Sequence, residues 1–150
     1  MRKLLALLAT TGLLTLSFPF PVFALTCGFG SAINATQCQG FLTTTGSQTF
    51  AVPSDWNSTS NTIEVIGGGG GGGGGNSGGN ASSGGGGGAY SKITNATLTA
   101  GGNVTYFVGF GGQNGAIDKA GVTASSTYMC NSTSNCATIS GTAVIIGVLG

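Results

Sequence analysis

Residues 62–90 read TIEVIGGGGGGGGGNSGGNASSGGGGGAY. A β-prone run at 62–66 feeds directly into nine unbroken glycines at 67–75, and sixteen of the twenty-two positions from 67 to 88 are glycine. Glycine has no side chain to fill a core and loses more backbone freedom on ordering than other residues. Such a stretch is either a flexible linker or a place where backbones approach more closely than a Cβ permits. A linker here has no second domain to connect, and the exits at Ile66 and Ala89 are abrupt. The packed reading sets polyproline-II-like segments side by side, with carbonyls accepting N–H and weaker Cα–H donors from neighbours. Gly67, Gly75, Gly84 and Gly88 bound this glycine platform, and Asn76, Ser77 and residues 80–83 form its turns. The pattern alone leaves both readings open.

Outward from the glycines the chain reads as β structure. Phe50 and Val52 alternate with polar neighbours before a turn at Pro53, Ser54 and Asp55. Residues 89–99 read as a strand region that ends in the turn Ala100, Gly101, Gly102, Asn103. Val104, Tyr106, Val108 and Phe110 give the strongest period-two signal. Residues 143–149 (AVIIGVL) are apolar enough for a buried strand. No segment after residue 24 carries a helical period. One all-β domain of four to seven short strands is expected over 47–150, preceded by a cysteine-containing leader at 25–46. The expected core is Phe50, Val52, Trp56, Ile63, Val65, Tyr90, Ile93, Leu98, Val104, Tyr106, Val108, Phe110, Val144 and Ile146. The sequence stops at Gly150, one residue after an apolar run, which reads as a truncated frame or fragment.

The N-terminus has the three parts of a secretory signal. Arg2 and Lys3 are the positive region, residues 4–16 are apolar but short for a membrane span, and Val22 and Ala24 suit cleavage after Ala24. A retained anchor is the alternative; a lipoprotein box is not present around Cys27. Cleavage leaves two lysines against three carboxylates, a net charge of −1, which is no footprint for a nucleic acid or an anionic membrane. Cys27, Cys38, Cys130 and Cys136 all lie in the exported part, and an even count there reads as disulfides. Four cysteines allow three pairings. Proximity favours Cys27–Cys38 and Cys130–Cys136, each closing a short loop. Zinc is disfavoured, because no CxxC spacing and no histidine is present.

The search for chemistry is largely negative. Without histidine, Ser-His-Asp and Cys-His arrangements are excluded. Asp55, Glu64 and Asp118 fall on separate segments, with no spacing that suggests a glycosidase pair. Residues 109–115 (GFGGQNG) imitate a dinucleotide fingerprint but lack the helix and the acidic partner, so they read as a loop. Asn114 and Asp118 suit a plain loop better than a Ca²⁺ site. Six Asn-x-Ser/Thr sequons begin at Asn34, Asn57, Asn80, Asn95, Asn103 and Asn131. They are glycan acceptors in a eukaryotic secretory route and polar loops in a bacterium, the reading favoured here. The tip Asn131, Ser132, Thr133, Ser134, Asn135 is framed by Cys130 and Cys136 and is the candidate contact loop. No cofactor and no metal is expected.

Two quoted stretches carry a family resemblance: TFAVPSDWNSTSNTIEVIGGGGGGGGG at 49–75, and GGGGGAYSKITNATLTAGGNVTYFVGFGG at 84–112. An aromatic-x-Val-Pro opening, a strand, a glycine run, Gly-Gly-Ala-Tyr, a glycine turn, Val-x-Tyr-x-Val and a Gly-x-Gly-Gly exit follow in that order. This resembles the bacterial and phage glycine-rich domain, over roughly 49–112 with a weaker continuation to 150. The resemblance implies an ordered glycine run within a small β-sandwich or jelly-roll-like domain. It implies an interaction or structural module rather than an enzyme, as in phage tail proteins and exported bacterial glycine-rich proteins. The signal peptide, the four cysteines and the abrupt end depart from that pattern, and the first moves the expectation from virion to exported protein. The expected partner is extracellular, a cell-surface glycan or a protein, for a secreted or surface-held adhesion or structural module. A phage tail or tail-fibre component is the alternative. An ice-binding protein is less favoured, because the run lacks regular Thr or Ala spacing.

Overall fold

The computed structural model describes residues 26–79 and 82–150. The signal peptide, its cleavage after Ala24, and Asn80 and Ala81 of the expected turn lie outside the described residues. The described residues form eight strands in chain order: β1 (Ser31–Ala32), β2 (Cys38–Gln39), β3 (Gly46–Ala51), β4 (Thr62–Ile66), β5 (Tyr90–Thr94), β6 (Asn103–Val108), β7 (Thr127–Cys130) and β8 (Val144–Val148). Six of them, β3 to β8, fall in the domain expected over 47–150, within the expected four to seven. The other two are the two-residue hairpin β1–β2 in the leader, and β7 is the one strand of the domain whose four residues give too little alternation to declare themselves.

All the pairing is antiparallel. β3, β6, β7 and β8 make a four-stranded sheet in that order, while β4 and β5 make a separate hairpin. The hairpin lies over one face of the larger sheet, in contact with β7 and β8. Between them sits the main core, with Phe50, Val65, Val104, Tyr106, Met129 and Ile146 at its centre. Ile63 and Ile93, an opposed pair in the β4–β5 register, close it from the hairpin side. Each fully buried side chain of this size stabilises the fold by about 1.5–3 kcal/mol. Phe29 of the leader packs edge-on against Phe50 with ring centroids 5.0 Å apart, so the leader is docked on the domain.

The opposite face of the four-stranded sheet is also covered. Tyr128, Cys130 and Cys136 form a second apolar cluster there, with Phe107, Ile139, Ala143 and Val144 packed around it. Both faces of β7 are thereby closed, and all four of its residues are buried. Val144, expected in the main core, belongs to this second cluster.

Two other expected core residues are corrected by strand parity. Tyr90 is 56% exposed because it opposes Ile66 on the outer face of the hairpin, the face that also carries Glu64 and Lys92. Phe110 is 52% exposed because β6 ends at Val108 and the two-residue period ends with it. Cys27 pairs with Cys38 and Cys130 with Cys136, with Cα atoms 5.7 and 6.1 Å apart, the pairing that proximity favours. Among the described residues no helix is long and apolar enough to cross a membrane.

Candidate functional site

The glycine run is neither strand nor loose linker. Residues 67–75 form an extended first segment, 82–89 a second, 109–116 a third and 119–125 a fourth, with the turn at 117–118 between the last two. Their backbone bonds repeat every third residue, the period of a polyproline II helix. The second segment runs antiparallel to the first: Gly67, Gly70 and Gly73 donate to the carbonyls of Ala89, Gly86 and Ser83 at 2.7–3.0 Å. The fourth is also antiparallel, with Gly71 and Gly74 donating to Val122 and Lys119 at 3.0 and 2.8 Å. The third is parallel: the N–H groups of Gly112, Gly115 and Asp118 donate to the carbonyls of Gly69, Gly72 and Gly75. The third and fourth segments are joined by Val122 donating to Gln113 and Ser125 to Phe110.

The first segment is therefore the axis of a four-segment bundle, held from three sides. This explains the unbroken glycine. A Cβ on Gly71 would overlap the carbonyl of Gln113, and one on Gly74 the carbonyl of Ala116. The neighbours meet the same limit: a Cβ on Gly85, Gly88 or Gly121 would overlap the carbonyl of Gly70, Gly67 or Gly71. Gly109, Gly112 and Gly115, spaced by three, would each strike the fourth segment. The stretch 109–115, expected as a loop, is thus a structural member of the bundle. Its signal was the spacing of three, which a search for alternation and for nucleotide fingerprints passes over.

Of the four platform glycines singled out from sequence, Gly67 and Gly75 bound the axial segment and both join its bonding. Gly88 is held at close approach to Gly67, whereas at Gly84 a Cβ would meet nothing within 4 Å among the described residues. Asn114, weighed as a cation ligand, instead accepts the N–H of Gly72 at 3.1 Å through Oδ1. Asp118 takes a left-handed conformation (φ 60°) in the turn between the third and fourth segments.

The candidate contact loop stands on the second apolar cluster. The Cys130–Cys136 bridge clamps its ends, and Cys130 is fully buried. The Asn131 N–H donates to Ala143 at 2.9 Å, and the Ser132 carbonyl accepts from Thr105 of β6 at 3.2 Å. The Ser132 hydroxyl closes the tip, donating to the Ser134 carbonyl and accepting the Ser134 N–H, both at 3.0 Å. Thr133, Ser134 and Asn135 are exposed, and Asn135 is left-handed at φ 52°. Beside it Asn135, Ala137, Thr138, Ser140, Gly141 and Thr142 line an open hollow of about 350 Å³. Among the described residues no hydrogen bond joins this loop to the glycine bundle, so the two candidate features are separate surfaces.

Sequence reasoning missed Asn61. Its Oδ1 accepts the N–H of Ala96 at 2.8 Å, and its Nδ2 donates to the carbonyls of Asn57 and Ala96 at 2.7 and 3.0 Å. It ties the entry to β4 to the exit from β5, with the Trp56 indole N–H donating to the same Ala96 carbonyl at 3.2 Å. A lone asparagine before a strand carries no signal of such a role. On the outer face of the hairpin, Glu64 and Lys92 form an ion pair at 3.0 Å. The hydrogen bond and positive charge of Lys92 hold the Glu64 carboxyl below its ordinary value, and the hydrogen bond and negative charge of Glu64 hold the lysine above its own. Asp55, Glu64 and Asp118 thus lie on a turn, a strand and a bundle corner.

A family model described as a glycine-rich domain matches residues 43–147. No curated protein matches the chain, and no solved structure does.

Proposed function

The chain belongs to the glycine-rich domain family, and from that premise we propose that it is an exported, non-enzymatic β domain serving as a surface binding module. The observation that carries the proposal is the bundle itself. Its close contacts are made by backbone, and its segments carry no charged side chain outside the corner at Asp118 and Lys119. A framework of that kind offers peptide groups and small side chains rather than reacting groups. The disulfides belong to an oxidising compartment, and residues 1–24 supply the export signal. That route favours a secreted or cell-surface location over a tail or tail-fibre component of a virion.

The disulfide-clamped tip is the contact loop. Its exposed amide and hydroxyl groups, with no charge among residues 131–135, suit a neutral hydrogen-bonding partner such as a cell-surface glycan. The experiment is saturable binding of the labelled, disulfide-intact protein to intact cells and isolated envelopes. Thr133→Arg combined with Asn135→Asp is expected to lower that binding at least tenfold while leaving the unfolding midpoint in place. Wild-type protein that binds no surface, or a hydrolytic activity abolished by changing one carboxylate, would overturn the reading.

A further inference from the structure

The bundle is incomplete on one side. Between the second and fourth segments, with the first as its floor, lies an open groove of about 240 Å³ lined by Gly70, Gly71, Gly86, Gly87, Val122 and Ala124, among others. The N–H groups of Gly87 in one wall and Thr123 in the other bond to no described residue. These are the same kinds of group that hold the other three segments together every third residue. Buried backbone donors are almost always paired, and exposed rows of them are templates for another chain. Exposed apolar side chains adjoin the groove: Val122 in its wall, and Leu149 next to Gly150 at its foot.

The second segment raises a related question. A Cβ at Gly84, Gly86 or Gly87 would meet nothing within 4 Å among the described residues, and all of 82–89 is exposed. Within the monomer these positions have no need of glycine, although glycine raises the entropy lost on folding. A backbone arriving from outside supplies the need. Such a backbone must itself be extended, threefold, free of Cβ atoms where it touches, and provided with unpaired peptide groups. The second segment of another copy meets all four conditions.

We infer that two copies of this chain associate about a twofold axis, the second glycine segment of each seating in the groove of the other. One patch then serves as both guest and host, as an isologous contact requires. The small footprint makes the association weak and reversible. This inference is independent of the surface-binding reading and does not fall with it.

The test is sedimentation velocity on the full chain, expressed through a secretory route with its disulfides intact. Loading concentrations run from roughly 1 to 300 μM, which brackets an interface of this size. A reversible monomer–dimer equilibrium is expected. Gly87→Asp, on the guest segment, and Val122→Asp, on the facing wall, are each expected to raise the dissociation constant at least tenfold. The space around Gly87 lets that variant keep the wild-type thermal midpoint, and Val122, already exposed, provides the second variant should the first misfold. A monomer across the whole range would overturn the inference. So would a dimer that both folded variants leave intact, or a monomer that takes up only glycine-repeat peptides of a different protein.

Discussion

Gly71 and Gly84 are the same residue type, thirteen positions apart, in opposite circumstances. At Gly71 an added methyl would occupy the place of the Gln113 carbonyl, which is backbone and can yield only if the third segment moves. Gly71→Ala is therefore expected to destabilise the protein by about 3 kcal/mol or more, at or beyond the upper end of ordinary overpacking. At Gly84 the methyl enters open space. Gly84→Ala is expected to be neutral or to stabilise by up to ~1 kcal/mol, by restricting the unfolded chain. Urea unfolding of the pair checks both, and equal losses would contradict the bundle geometry. Glu64 provides a second residue-scale case. Its folded pKa is lowered by Lys92, so its contribution to stability is present above the unfolded carboxylate pKa and is lost as pH falls through the lower folded value. An NMR titration should place the Glu64 midpoint below its ordinary 4.5, and Lys92→Ala should bring it back. Because both side chains are about half exposed, the accompanying change in stability is expected to be small.

At the scale of elements, the threefold bonding makes a spectroscopic prediction. The N–H groups of Gly67, Gly70, Gly71, Gly73 and Gly74 all donate within the bundle, while those of Gly84 and Gly87 bond to no described residue. Amide exchange in monomeric protein should therefore be slow for the first set and fast for the second, and uniform fast exchange would make the run a flexible loop. The strands were largely legible in advance, because alternation at 104–108 and 62–66 states which side chains face inward. Residues 127–130 gave no such cue: with both faces covered, Thr127, Tyr128, Met129 and Cys130 are all buried and alternation vanishes. The third segment hides its order in the sequence for a related reason. Its register is written in Gly109, Gly112 and Gly115, a spacing that neither strand nor helix periodicity detects. The glycine run itself was recognisable as a candidate for packing, but its partners were not. A residue without a side chain gives no clue to what lies beside it, and two of the three partner segments lie about forty residues or more downstream.

Across the whole molecule the chain uses two means of cohesion. A sandwich of modest size holds itself by apolar side chains, and beyond the ends of β4, β5 and β6 backbone hydrogen bonds take over. The disulfides close the two shortest loops within these frameworks, one inside the leader and one over the outer face of the large sheet. The arithmetic of three also constrains how this sequence can change. A run of repeated glycine codons is prone to slippage during replication, and each slipped codon adds or removes one residue. One extra glycine would turn every later residue of the axial segment by a third of a revolution, so that donors aimed at the second segment would face the third or fourth. Three extra glycines would restore the facing and only lengthen the axis. Lengths of this run in descendants of the same gene are therefore expected to differ in multiples of three residues, a reading frame imposed by protein geometry on top of the one imposed by the codon.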